Sequence, residues 1–263
     1  MSKFHEANRK GWDAAALAGH GQVDRSRDWR RSHEEAGHFF DERELAWLRD
    51  VAGKKACVLG SGDNLAVFAL AGLGAEVTSV DISQEQLNIA KERARKLGVS
   101  IRFLRADVVD LSGLDTECFD LVYTGGHVAV WVSDLEHYYR EAVRVLKPGG
   151  LFFVNEYHPF RRIWKERRDG LEVEFSYFDR GPHEWDRAEE IPGAAPGSLP
   201  EYEFHWTVSE FLSAVVEAGC EVLSVDEFGD QTEDWEVAPL AGLPQSLLIA
   251  ARKTKTPHAP GDS

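Results

Sequence analysis

Two glycines separated by one residue, Gly60 and Gly62, lie between an apolar run ending at Leu59 and an apolar helical stretch that starts at Leu65. An acid, Asp81, closes the next apolar run nineteen residues beyond Gly62. Residues of these types at this spacing can hold a nucleoside. Glycines without a Cβ let the backbone turn sharply out of a strand and let a ligand approach the main chain, and the carboxylate can accept hydrogen bonds from ribose hydroxyls. The glycine pair alone is a weak signal, because a tight turn can need glycine for packing only; the strand before it and the acid after it make the pattern more specific. A second group of residues could move protons. His127 follows the apolar run Phe119–Thr124, Glu156 and His158 close the run that starts at Leu151, and His205 lies further on between Tyr202 and Trp206. A histidine accepts a proton near neutral pH, although each of these could equally be a structural hydrogen-bond donor.

These side chains need strand ends to hold them, and the hydrophobic pattern predicts seven strands, at about 56–60, 75–80, 99–105, 119–124, from Leu151 onward, 220–227 and 246–252. Helices are expected between most of them. One starts at Leu65 directly after the glycine turn. Ser83 and Gln86 read as a capping box for a helix with Leu87, Ala90, Ala94 and Leu97 on one face, stopped by Gly98. Ser133 and Glu136 cap another, which ends at Lys147-Pro148-Gly149-Gly150, and Thr207 and Glu210 cap the next. Asp41 and Glu44 cap a helix that leads into the first strand. Alternating strands and helices predict a parallel α/β sheet, whose ligands bind outside the carboxyl ends of the strands. The last two strands have no helix between them and can pair antiparallel.

The remaining chain bounds the function. Residues 1–40 are polar with scattered aromatics and predict two short amphipathic helices; the spacings of His5, His20, His33 and His38 match no common ligand pattern, so no metal is expected. Residues 158–206 form an aromatic, charged insertion too long for a simple connection, expected to fold over a pocket with a hairpin around Leu171 to Phe178. Residues 256–263 are expected to be disordered. The formal net charge of −15 argues against nucleic acid or an anionic membrane as partner; beyond serving solubility, its sharper reading is a preference for neutral or cationic substrates. Cys57, Cys118 and Cys220 read as reduced core thiols of a cytoplasmic protein. The opening MSKFHEANRKGWDAA lacks an apolar leader core, and no run of eighteen apolar residues occurs.

Four stretches, VLGSGDN, TSVDIS, FLRADVVDL and FDLVYTGGHVAVWVSDLEHYYREAVRVLKPGGLFFVNEYHPF, resemble the class I S-adenosylmethionine (SAM)-dependent methyltransferases, closest to the small-molecule branch called type 11 and type 25. The resemblance covers about Asp41 to Lys253, and its most specific part is the last stretch, with its Lys-Pro-Gly-Gly connection. It implies a Rossmann-like fold with a seven-stranded, mostly parallel sheet in the order 3-2-1-4-5-7-6, strand 7 antiparallel, and helices on both faces. It implies SAM as cofactor and S-adenosylhomocysteine as its product, with Gly60, Ser61, Gly62 and Asn64 beneath the methionine part. Asp81 and Ile82 would meet the ribose, Asp107 and Val108 the adenine, and Thr124 and Gly125 would lie beside the sulfonium. The NRKGWD stretch from Asn8 looks like the segment of related enzymes that closes over the cofactor, which makes residues 1–40 a lid and Trp12 a lid residue. Two positions depart from the family pattern. Val58 stands where an acid is usual and Asn64 where a third glycine is usual; Asn tolerates left-handed backbone better than other non-glycine residues.

The resemblance thus implies an enzyme that methylates an O or N atom of a small organic acceptor, with His158 and His127 as catalytic candidates and Tyr157, Trp164, Tyr202 and His205 lining the acceptor pocket. The donor is already activated, so the protein mainly positions a lone pair and excludes water, with a base only where the acceptor must lose a proton. A homodimer is compatible with these features. Two other readings use the same glycines and acid: an NAD(P)-dependent oxidoreductase, disfavoured by the Lys-Pro-Gly-Gly connection and by Leu65 at the last place of G-x-G-x-x-G, and a noncatalytic SAM-binding regulator, disfavoured by the aromatic lid.

Overall fold

The structure, a computed structural model, describes residues 1–26, 28–62, 65–229 and 238–255, with backbone alone at 20–26. The chain opens with helices α1 (Lys3–Ser26), α2 (Asp28–Glu34) and α3 (Glu42–Leu48), then alternates β1 (Lys55–Leu59), α4 (Leu65–Gly72), β2 (Glu76–Asp81), α5 (Gln84–Leu97) and β3 (Arg102–Arg105). After β4 (Phe119–Thr124), α6 (Leu135–Val145) and β5 (Leu146–Tyr157) comes the insertion, which carries β6 (His183–Asp186) and β7 (Pro200–Glu203). Helix α7 (Val208–Glu217) and strands β8 (Cys220–Phe228) and β9 (Ser246–Lys253) close the domain.

Seven strands form one sheet in the order β3-β2-β1-β4-β5-β9-β8, with β9 antiparallel to both its neighbours. That is the expected order once β6 and β7, a separate antiparallel pair, are set aside. Successive side chains point to opposite faces of a strand, so the apolar runs fill two cores. Leu59, Val122, Phe152 and Val154 pack with Tyr139, Val143 and Phe211 from α6 and α7. Val58, Leu121, Tyr123 and Phe153 pack on the other face with Leu48, Val67 and Leu70 from α3 and α4. Val58 is thus a core residue, and an acid there would need a buried partner. The thiols of Cys57 and Cys220 are buried and held in the neutral form by burial, and Cys118 is half-buried.

Several local expectations change. Among the described residues of 1–40 there are a 24-residue helix, a seven-residue one and a short 3-10 turn rather than two short helices, and α2 packs Trp29 against Phe68 of α4. The boxes at Asp41/Glu44 and Thr207/Glu210 are reciprocal, but at Ser83 only half the box exists, because the Ser83 N–H donates to Asp81 Oδ1 at 2.7 Å. Asp134, not Ser133, caps α6, since its Oδ1 accepts the His137 N–H while Ser133 is engaged by His5. Around Leu171 to Phe178 there is an isolated bridge, Trp164 to Val173, and the insertion's hairpin is β6–β7. The expected disordered tail, 256–263, lies outside the described residues. Among the described residues no helix is long and apolar enough to cross a membrane.

Candidate active site

Strand register assembles the site. Leu59 pairs with Val80 and Thr124, Thr124 with Val154, and Asp81 with Arg105, so the ends of β1 to β5 share one edge of the sheet. A cavity of about 180 Å³ opens there, lined by Gly60, Ser61, Gly62, Asp81, Ile82, Asp107 and Val108. Gly60 and Gly62 have φ of 62° and 40°, and a Cβ on either would lie 2.6 Å from Val128 or Gln86, so both conformation and space require glycine. Ser61 Oγ shares a hydrogen bond of 2.8 Å with Ser79 Oγ beneath the loop.

The roof of this cavity is α1, through His5, Asn8 and Trp12. The Ser133 N–H donates to His5 Nε2 at 3.0 Å, which leaves the ring proton on Nδ1, where it is donated to Asp107 Oδ2 at 2.7 Å. Asp13 Oδ1 accepts from Ser83 Oγ at 2.6 Å and ties the same helix to the start of α5. The Arg187 guanidinium lies 4.9 Å from the centre of the Trp12 ring, and Trp12 meets Trp131 edge-on at 5.3 Å.

Thr124 and Gly125 are not brought to the cavity wall. Thr124 is buried and its hydroxyl donates to Glu156 Oε1 at 3.4 Å, while Gly125 packs against the Tyr123 ring; Gly126 and Val128 form the wall instead. Asn64 lies outside the described residues.

A second cavity of about 590 Å³ lies under the insertion, with Trp131 as a wall common to both. Trp164 and His205 line it, with seven carboxylates against four basic side chains. Glu203 accepts two bonds of 2.9 Å from Arg162, and burial, which works against its charge, is outweighed by His205 and Arg162, which hold its carboxyl below the usual range. Glu201 takes Arg187 at 2.7 Å.

A small recess adjoins this cavity and shares Arg162 and His205 with it. His127, Glu156 and Tyr157 are among its other walls. His127 has φ of 56° and stacks on Tyr157 with centroids 4.2 Å apart. Burial first, then the charge of Arg162, pushes its pKa to about 3, so the ring is neutral, and its Nδ1 has no partner. Burial likewise lowers His205, whose Nδ1 is also unpartnered. Burial pushes Glu156 up to about 8 although the Ala129 N–H donates to it at 3.0 Å.

His158 lines none of these cavities, which corrects its place among the catalytic candidates. Its Nε2 meets Glu227 Oε1 at 2.6 Å and its Nδ1 accepts the Phe160 N–H at 3.1 Å, so both ring nitrogens serve the turn after β5. Tyr202 is not a pocket wall either; its ring packs edge-on against Phe4 at 5.0 Å. Conversely, Trp131, Arg162 and Glu203 were not singled out from the sequence, and His5 only as a rejected metal ligand. Arg162 and Glu203 are 41 residues apart in an insertion without periodicity, and only Asn8, at the head of NRKGWD, carried a signal. Among the described residues no group of three or more His, Cys, Asp or Glu side chains could hold a metal ion.

The strand order and the glycine-turn cavity at the carboxyl edge define a doubly wound nucleoside-binding protein whose last strand is inserted antiparallel. Residues 57–154 match the family model described as "Methyltransferase domain". The ubiquinone biosynthesis O-methyltransferase of Methylobacterium sp. (strain 4-46) is 29% identical over 165 residues, covering 57% of this chain and 66% of that protein. The enzyme of that name from Ruegeria pomeroyi is 31% identical over 154 residues, 58% of this chain and 60% of that one. The chain therefore spans less than two thirds of the length of these relatives. An S-adenosylmethionine dependent methyltransferase from Mesorhizobium loti superimposes with a TM-score of 0.61 at 26% identity, over 80% of this chain and 97% of that one. A methyltransferase structure from Clostridium acetobutylicum, with a TM-score of 0.55 at 11% identity over 86% and 97%, shares the fold. Over residues 57–154 the chain is thus similar to the methyltransferase domain, and its fold is that of the SAM-dependent methyltransferases it superimposes on. The first cavity fits SAM as cofactor, with two left-handed glycines, an acid at the end of β2 and the apolar surfaces of Ile82 and Val108.

Proposed function

We propose that the chain transfers a methyl group from SAM to an O or N atom of a small organic acceptor, neutral or cationic, bound in the second cavity and its recess. The observation that carries this function is Trp131, one wall common to a nucleoside-type cavity and to a larger cavity rich in charged and aromatic side chains. SAM, when bound, supplies an electrophilic methyl group on a sulfonium. Asp81 would hold the ribose hydroxyls, and Asp107, oriented by His5, would face the adenine. Helix α1 and the β6–β7 hairpin exclude water from above, which strengthens every polar contact below. Arg162, Glu203 and His205 fix one wall of the acceptor space, and the excess of carboxylates favours neutral or cationic molecules.

Where the acceptor is a hydroxyl, His127 is proposed to position it. Its ring stays neutral, so the unpartnered Nδ1 can accept a hydrogen bond from that hydroxyl and orient its lone pair toward the methyl group, while a pKa of about 3 makes it too weak a base to keep the proton. The names of the relatives support oxygen as the accepting atom. Transfer of radiolabel from methyl-labelled SAM to a panel of phenols, catechols and amines tests the activity. Label should enter at least one neutral or cationic acceptor, and calorimetry should show heat with SAM and none with NADH. Heat with NADH alone would refute the methyltransferase reading.

A further inference from the structure

On the reading of the first cavity as a SAM site, we propose that Asn8 is a positioning residue that couples the two cavities, so that a ligand beneath α1 orders the β6–β7 hairpin over the acceptor space. Asn8 is 2% exposed and faces the first cavity. Its amide treats Tyr202 as a neighbouring strand would: Oδ1 accepts the Tyr202 N–H at 2.7 Å and Nδ2 donates to the Tyr202 carbonyl at 2.9 Å. Nδ2 also donates to the carbonyl of Trp131 at 3.2 Å, which uses both amide hydrogens. One side chain therefore joins the roof of the first cavity, the residue common to both cavities, and the strand that carries Glu201 and Glu203 into the second.

The contacts around Asn8 reinforce the joint. Gly11, on the same helix, has no room for a Cβ, which would collide with Glu201 Oε1, and that carboxylate is held in place by Arg187. Phe4 meets the rings of Tyr202 and Phe204 edge-on at 5.0 and 5.5 Å. The hairpin is a two-stranded sheet of four residues a side, too small to be stable alone, so its order depends on what it packs against. A cofactor packed against His5, Asn8 and Trp12 stabilises α1 in this position, and Asn8 passes that preference to β7. The donor would thus complete the acceptor site on binding and be retained while the hairpin stays closed.

Hydrogen exchange on the full chain, with S-adenosylhomocysteine as probe, tests this. In the wild type the probe should slow exchange at residues 200–204 as well as at the glycine loop. In Asn8→Ala the slowing at 200–204 should be lost while that at the loop persists, and the probe should dissociate roughly tenfold faster, the scale of a buried hydrogen-bonded group. Gly11→Ala, which pushes the hairpin away without touching Asn8, should uncouple the same residues. An Asn8 that only stabilises the fold would lower the melting temperature and leave the probe-dependent protection at 200–204 intact, which overturns the proposal. So does a wild type in which the probe protects the glycine loop but not 200–204, and this comparison stands even where Asn8→Ala fails to fold. A wild type that binds no probe at all removes the SAM reading itself, and the coupling with it.

Discussion

Glu156→Gln should make the protein more stable, by an amount that depends on pH in a defined way. The carboxyl is 2% exposed, and its pKa is raised to about 8 by burial, against 4.5 for an ordinary glutamate. Between those values the folded chain holds a proton that the unfolded chain has released, so stability falls as pH rises, by about 1.36 kcal/mol per unit. At pH 7 the accumulated cost is about 3 kcal/mol, which a neutral amide of the same shape avoids while its oxygen still accepts the Ala129 N–H. His127 has the opposite sign. Its folded pKa of about 3 lies below the ordinary 6.5, so its contribution rises with pH up to about 6.5 and is flat above. The clean window is therefore pH 6.5–8, where the wild type should lose about 2 kcal/mol and the variant should change little. Urea unfolding followed by tryptophan fluorescence measures both. A gap between variant and wild type that stays constant across that window would mean Glu156 is already ionised, and would refute the reasoning.

Asp81→Ala should weaken SAM binding by about 1.5–3 kcal/mol in calorimetry, the range for hydrogen bonds to a charged group; an unchanged affinity would move the ribose elsewhere. His127→Phe preserves the stack on Tyr157 but removes the Nδ1 that would orient the acceptor, and kcat for a hydroxyl acceptor should fall about 10²-fold with SAM affinity unchanged. Because the wild-type ring stays neutral down to about pH 3, the rate should show no loss through pH 6.5 from this group, and such a loss would mean that another group titrates in the site. His158→Ala should cost about 1–2 kcal/mol of stability through the lost Glu227 and Phe160 contacts and leave turnover intact; a hundredfold fall in kcat at an unchanged melting temperature would restore it as the base.

Much of the scaffold was legible because its signals are local. Strand β4 spans the predicted residues, the turn at Gly60 and Gly62 needs glycine for reasons visible within a few residues, and Asp81 ends the strand it was expected to end. The strand order followed from the alternation of elements together with the family resemblance, since strands with no helix between them can lie antiparallel. Most of the expected cofactor residues meet at one cavity because parallel strands in register deliver their carboxyl ends to one edge.

What surrounds that edge was decided by tertiary packing. Along β5, Phe152, Val154 and Glu156 lie on one face by simple alternation, and the same count would put His158 with them. The backbone leaves the strand at His158, whose ring turns to cap the next turn and to meet Glu227 on β8, a residue 69 positions away. Glu156 stays behind, its pKa raised by a burial that no spacing could announce. The roof is of the same kind: Asn8 bonds to Tyr202 across 194 residues and His5 to Asp107 across 102, contacts set by where a helix comes to rest and not by any period in the chain. By itself the sequence determined the sheet and the glycine turn, because strand alternation and backbone sterics act over a few residues. Only the folded chain decided which histidine faces a cavity and which holds a turn, because that choice depends on partners brought together from distant positions.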